Sequence, residues 1–145
     1  MKIFCDTNIL VAGFSAAHPQ HNAARPALER VLAGKDQGFV AAHTLAECYA
    51  VLTRLPGEAC VAPATAWQLI SENVIKHFTV VHLNGKEYGQ ALQKASVEGV
   101  AGGKTYDALL LAAAEKSDVD RILTLNVRHF ESLAEENLRG KITAP

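Results

Sequence analysis

Short apolar runs alternate with longer amphipathic stretches along the chain, a pattern that predicts β-strands alternating with α-helices. The apolar runs predict an opening strand that ends at Asp6 and further strands at residues 38–42, 78–83, 121–125 and 141–143. Helical spacing predicts a first turn at 9–14 and helices at 23–33, 43–55, 63–77, 85–98, 104–116 and 130–137. This order predicts a mostly parallel sheet that is covered on both faces by helices.

The ends of the predicted strands carry the first chemical signal. Asp6 follows the opening apolar run directly, and a carboxylate in that position costs stability unless it is paired, hydrogen-bonded or bound to a metal. Ligands of open α/β sheets bind outside the carboxyl ends of the strands. The strand ends at Asp6, Ala42 and Leu125 are therefore predicted to share one edge of the sheet.

Two more carboxylates lie where helices are predicted to begin. Glu47 is near the start of the helix that follows the second strand, and Asp107 is near the start of an apolar helix that follows the glycine-rich loop 99–103. A helix that follows a parallel strand begins at the carboxyl edge of the sheet. We therefore expect Asp6, Glu47 and Asp107 to meet there, with Asn126 arriving from a fourth strand end.

Three carboxylates in one cleft repel one another and raise each other's pKa unless a cation joins them. A donor set made of oxygen, without His or Cys, favours Mg²⁺ or Mn²⁺ over zinc. Such a cation activates water and neutralises a phosphate. The combination predicts hydrolysis of a phosphodiester.

Each acid also has a purely structural explanation. Asp6 could end a strand and cap a turn, and Asp107 lies in a first helical turn, where the helix dipole already favours a negative charge. Thr44 and Glu47 have the spacing of a capping box, in which both side chains bind amides at a helix N-terminus. The sequence alone leaves these alternatives open.

Composition narrows the class of protein. With 145 residues we expect one domain covering 1–145, and the net charge of −1 with a pI near 6.6 limits nucleic-acid binding to a local patch. The chain has no recognisable signal peptide and no apolar run that could span a membrane, which predicts a cytoplasmic protein. The three cysteines, Cys5, Cys48 and Cys60, are expected to be reduced thiols.

Four segments, in this order, resemble the motifs of the PIN-domain nucleases, and most closely the small VapC-like toxins of bacterial toxin–antitoxin pairs. They are IFCDTNIL at 3–10, the Glu47 helix with LTRLP at 52–56, YDALLLAAA at 106–114 and TLNVRHF at 124–130. The resemblance covers nearly the whole chain. It implies a three-layer α/β/α sandwich, a Mg²⁺ or Mn²⁺ cofactor and cleavage of single-stranded RNA by a water that the metal activates.

The resemblance also implies roles for individual residues. Asp6, Glu47 and Asp107 match the family's metal-binding acids and would be the catalytic residues. The fourth acidic position is Asn126 here, and the acid often found before the final Phe is His129, which puts the binding of two metal ions in doubt. Three residues are candidates to orient ligands or water: Thr7, Asn8 and Thr124.

Partners are likewise implied by the resemblance alone. They are an RNA substrate, a small antitoxin protein and a second copy of the chain in a homodimer, with no membrane. The candidates to hold the RNA backbone are Arg54, Lys104 and Arg128. Two other functions remain open: a housekeeping RNA-processing nuclease, and a catalytically weak PIN module that binds RNA or protein, which Asn126 and the absence of net basic charge would suit.

Overall fold

A computed structural model describes residues 1–145 and contains one five-stranded sheet. The strands are β1 Lys2–Cys5, β2 Gln37–Ala41, β3 Phe78–Val81, β4 Arg121–Leu123 and β5 Ile142–Thr143. They lie in the order β3-β2-β1-β4-β5, and every neighbouring pair is parallel. The predicted parallel sheet is confirmed, and β1 lies at its centre.

Eight α-helices connect and cover the strands. They are α1 Thr7–Phe14, α2 His21–Leu32, α3 Ala42–Leu52, α4 Pro63–Ile70, α5 Gly85–Val97, α6 Lys104–Lys116, α7 Val127–Leu133 and α8 Glu136–Arg139. A 3₁₀ turn lies at Gly57–Ala59, and α4 continues as a π-helical segment at Ser71–Ile75. The helix predicted at 130–137 is instead two helices, because Ala134 and Glu135 have extended backbone. Every helix is too short or too polar to span a membrane.

The central strand builds two cores because its side chains alternate between the faces of the sheet. Ile3 and Cys5 pack with buried residues of α1, α2, α3 and α4 on one face. Phe4 packs on the other face with buried residues of α6, α7 and α8. The sheet is thus buried on both sides, and the three-layer α/β/α sandwich is confirmed.

The carboxyl edge of the sheet is where the predicted site residues begin. Cys5 of β1 is paired with Leu123 of β4, and the amide of Asp6 donates to the Leu123 carbonyl at 3.0 Å. Helix α1 begins one residue after Asp6, and α3 begins directly after β2. The shared edge that the sequence predicts is therefore confirmed.

The three cysteines form no disulfide. Cys5 and Cys48 are fully buried in the first core, where burial raises the pKa of each thiol to about 12, and Cys60 is exposed. The charge of Asp6 adds to the shift at Cys5. The two buried cysteines therefore serve as small apolar core residues.

Candidate functional site

A cleft of about 340 Å³ lies at the carboxyl edge of the sheet. Its apolar wall is formed by Val11, Val51, Leu55 and Phe130. Its polar lining comprises Asp6, Thr7, Asn8, His18, Glu47, Asp107 and Asn126. The structure thus brings together the three predicted acids and Asn126, which come from four separate parts of the sequence.

Asp6 is the most buried of the three acids, with 6% of its surface exposed. Because β1 and β4 are in register, the next residues of both strands lie side by side, and the Thr124 hydroxyl donates to Asp6 Oδ2 at 2.8 Å. Burial is the main cause that raises the pKa of Asp6 to about 6, and the charge of Asp107 adds to it. The Thr124 hydrogen bond and the backbone amides of Thr7 and Asn8 lower that pKa in part.

Glu47 faces the cleft from the second turn of α3. Burial, together with the charges of Asp6 and Asp107, raises the pKa of Glu47 to about 7. One turn earlier on the same helix, Nε2 of His43 lies 3.3 Å from Glu47 Oε1. The shifts in the pKa values of Asp6 and Glu47 show that the negative charges of the three acids repel one another across the cleft.

The capping-box explanation of Glu47 is wrong. Helix α3 begins at Ala42, and its N-terminus has no side-chain cap. Thr44 is already inside the helix, fully buried, and its hydroxyl has no hydrogen-bond partner. Glu47 therefore does not cap α3.

Asp107 is in the first turn of α6 and lines the same cleft. Its Oδ2 lies 2.8 Å from Nε2 of His129, which belongs to the first turn of α7. The His129 ring packs edge-on against the ring of Phe130, with centroids 6.0 Å apart. The His129 imidazole is therefore within hydrogen-bond distance of the Asp107 carboxylate.

The smaller polar residues tie the strand ends together. Asn8 Oδ1 accepts a hydrogen bond from the Leu125 amide at 3.3 Å, and Thr124 Oγ1 accepts one from the Asn126 amide at 3.1 Å. The Thr7 hydroxyl is buried without a partner beside Asp6, and the Asn126 side chain does not cap α7. Thr7 and Asn126 therefore contribute side-chain polar atoms that form no hydrogen bond within the chain.

The three basic residues predicted to hold RNA lie outside this cleft. All three are exposed, and none lines it: Arg54, Lys104 and Arg128. Their contact with RNA stays a prediction.

The sequence does not predict that three histidines lie close to the acids. His43 lies four residues before Glu47, a spacing that places both on one helix face and was visible in the sequence. The resemblance marks His129 as a departure from the family pattern, but the sequence does not predict its contact with Asp107. His18 also lines the cleft, and its Nδ1 accepts a hydrogen bond from the Gln20 amide at 3.0 Å.

The donor set fits a hard divalent cation in its chemistry. Carboxylates whose pKa values are raised by burial and by one another gain most from a shared positive charge, and the orphaned Thr7 hydroxyl adds an oxygen. No group of three His, Cys, Asp or Glu side chains is placed to hold an ion as the side chains stand. An ion shared by all three acids therefore requires side-chain movement. Glu47 Oε1 and Asp107 Oδ2 each lie beside an imidazole, which leaves the second oxygen of each carboxylate without a partner.

Comparison with known proteins gives a consistent picture. The PIN domain family model matches residues 3–136. Ribonuclease VapC40 of Mycobacterium tuberculosis (strain ATCC 25618 / H37Rv) is 32% identical over 137 residues, which cover 94% of each chain. These similarities extend over nearly all of the chain.

Solved structures agree on the fold. Mycobacterium tuberculosis VapC20, described as a sarcin-ricin loop cleaving toxin, matches with a TM-score of 0.64 at 21% identity over 83% of this chain and 86% of that one. VapBC2 from Rickettsia felis, bound to a DNA fragment from its promoter, matches with a TM-score of 0.66 at 18% identity. The match covers 99% of this chain and 98% of that one.

Proposed function

The chain belongs to the PIN domain family, among its VapC-like ribonuclease toxins, and from this premise we propose that it is a Mg²⁺- or Mn²⁺-dependent endoribonuclease that cuts single-stranded RNA. One observation carries the proposal. Asp6, Glu47 and Asp107 arrive from three elements at one cleft, where the pKa values of Asp6 and Glu47 are raised to about 6 and about 7. Without a compensating cation this arrangement costs stability, which is typical of a functional site.

Each residue has a definite part in the proposed site. Asp6, Glu47 and Asp107 would hold the cation, and Asn126 would add a neutral amide oxygen. When bound, the cation would supply Lewis-acid stabilisation of the phosphate and lower the pKa of water. Thr124 fixes Asp6 through its 2.8 Å hydrogen bond, and Thr7 and Asn8 are proposed to orient ligands or water beside it.

We further propose that the chain is the toxin of a toxin–antitoxin pair. The support is the similarity to VapC40 and, at the level of the fold, to VapBC2. The proposal includes a small antitoxin partner and a homodimer. It does not name the RNA target, because the target of a structural neighbour at 21% identity does not transfer.

The test is titration of the purified protein with Mn²⁺ by calorimetry, followed by cleavage of a labelled single-stranded RNA. We expect the wild type to bind Mn²⁺ and to cut, and Asp6→Asn and Asp107→Asn to lose both properties. Asp118→Asn is the matched control, because this exposed aspartate precedes β4 at the opposite edge of the sheet. Asn also tolerates its positive φ of 45°.

One observation favours a second candidate. Asn126 is neutral where the family often has a fourth acid, which suits a PIN module that binds without cutting. A folded wild type that binds neither Mn²⁺ nor Mg²⁺, with or without an RNA oligomer, would refute the nuclease proposal in favour of this module. A wild type that cleaves RNA but is harmless when expressed would instead indicate a housekeeping nuclease. Growth arrest that the Asp6→Asn substitution abolishes would support the toxin.

A further inference from the structure

We propose that His129 is a positioning residue of the candidate site, whose imidazole holds the Asp107 carboxylate in place for the cation. The inference rests on the proposed function, since it concerns a ligand of the proposed metal. Nothing in the proposed reaction otherwise uses this histidine.

The contact itself sets the chemistry of the pair. His129 Nε2 and Asp107 Oδ2 are 2.8 Å apart, and the two side chains are 18% and 31% exposed. Because an ionised carboxylate only accepts hydrogen bonds, Nε2 must carry the proton and donate it. Oδ2 is then occupied, and Oδ1 is the oxygen of Asp107 that has no partner within the chain.

The imidazole is itself held firmly. His129 lies in the first turn of α7, and its ring meets the Phe130 ring at 87°. Phe130 is 1% exposed and forms part of the cleft wall. The buried phenyl ring therefore restricts the imidazole, which in turn restricts the rotamer of Asp107.

The histidine also affects the electrostatics of the cleft. A carboxylate at position 129 would add a fourth negative group beside Asp107 and increase the repulsion among the acids. The imidazole instead offers a donor to one of them. Groups that hydrogen-bond a metal-binding carboxylate orient it, and their loss typically costs 10- to 100-fold in metal affinity.

The first test examines the pair without metal. Two-bond ¹H–¹⁵N NMR spectra of the metal-free protein, assigned with His129→Gln, report which ring nitrogens of His129 carry protons. We expect a protonated Nε2. A His129 ring protonated on Nδ1 alone would overturn the inference, because such a ring cannot donate to Asp107.

The second test measures Mn²⁺ affinity by calorimetry for the wild type, His129→Leu and His129→Gln. The leucine variant removes the donor, and we expect its affinity to fall about 10-fold or more. The glutamine variant places an amide N–H near the position of Nε2, and we expect it to restore most of the affinity. The matched control is His77→Leu, because His77 is exposed and outside the cleft, and we expect wild-type affinity.

The outcomes separate this inference from the function on which it rests. Wild type that fails to bind Mn²⁺ defeats the proposed function and the inference with it. Wild type that binds, with His129→Leu binding equally well, defeats the inference alone. If His129→Gln binds Mn²⁺ as weakly as His129→Leu, the inference also fails, because the ring would then matter only for packing. Thermal unfolding of each metal-free variant checks that the fold is intact.

Discussion

At the scale of single residues, Thr124 supports the site through one hydroxyl. It is fully buried, donates to Asp6 Oδ2 and accepts from the Asn126 amide. Thr124→Val keeps the shape of the side chain but leaves both partners without this bond. We expect the free energy of unfolding in urea at pH 8 to fall by about 1–3 kcal/mol, because a buried carboxylate oxygen loses its donor.

The control for this prediction is Thr124→Ser, which keeps the hydroxyl and removes only a methyl group. We expect it to lose clearly less stability than the valine variant. Since the Thr124 hydrogen bond lowers the pKa of Asp6, the valine variant should also titrate Asp6 at a higher pH. Equal stability of the valine variant and the wild type would show that the hydroxyl does not stabilise Asp6.

The three acids of the candidate site and Thr124 beside Asp6 could be predicted from the sequence, whereas the histidine partners of Glu47 and Asp107 could not. Parallel topology places Asp6 and the starts of the following helices at one edge, which is enough to bring Glu47 and Asp107 near it. The bond between His129 and Asp107 depends on how α6 and α7 pack, and no local pattern encodes that packing. The mistaken capping box of Glu47 has a similar cause, because α3 begins two residues before Thr44.

At the scale of secondary-structure elements, β2 depends on a residue without a side chain. Gly38 is paired with Ile3 of β1 and Phe78 of β3. A Cβ at this position would lie 2.4 Å from the Phe78 ring and 2.6 Å from a methyl group of Val31. We expect Gly38→Ala to lower the free energy of unfolding by about 1–3 kcal/mol, because it overpacks the core between the sheet and α2.

The matched control is Gly140→Ala. Gly140 has a φ of −68°, and a Cβ there would meet no atom within 4 Å. We expect its urea midpoint to stay at the wild-type value. A Gly38→Ala variant as stable as this control would mean that the Phe78 ring moves aside at no cost.

The elements themselves were largely predictable, because apolar runs and helical spacing are local signals. The exceptions depend on longer-range packing. The predicted helix at 63–77 becomes α4 and a π-helical segment, and the predicted helix at 130–137 divides at Ala134. The order of the strands is not a local property either, since β1 lies between β2 and β4, which are far apart in the sequence.

At the scale of the whole molecule, the cleft makes stability depend on pH. The folded state raises the pKa of Asp6 from an ordinary 3.8 to about 6, and that of Glu47 from 4.5 to about 7, with burial as the first cause of both. Between the ordinary pKa and the raised pKa of each carboxyl group, the folded protein binds more protons than the unfolded chain. The free energy of unfolding of metal-free protein is therefore expected to fall as the pH rises from about 5 to 8.

Urea denaturation at several pH values in this range measures the effect, and Asp6→Asn isolates the part due to Asp6. The variant cannot ionise at this position, so its stability should depend less on pH and exceed that of metal-free wild type at pH 8 by about 1–3 kcal/mol. Asp36, whose pKa is lowered mainly by its hydrogen bond from Arg30, has the opposite dependence at more acidic pH. Burial lowers the pKa of His43, which opposes the fall within the range itself, and the comparison with Asp6→Asn cancels this contribution because both proteins contain His43. A wild type whose stability does not fall towards pH 8 would contradict the raised pKa values.

Manganese should reverse this dependence if the cleft is its binding site. A cation binds the ionised carboxylates, so its stabilising effect grows with pH, just where metal-free protein loses stability. With Mn²⁺ at about 100 times its Kd, the wild type should gain about 2.7 kcal/mol at pH 8. Asp6→Asn should gain far less, so that the variant that is more stable without metal becomes the less stable one with it. An equal gain in both proteins would show that the ion binds elsewhere, and the function of the cleft would then have to be sought without it.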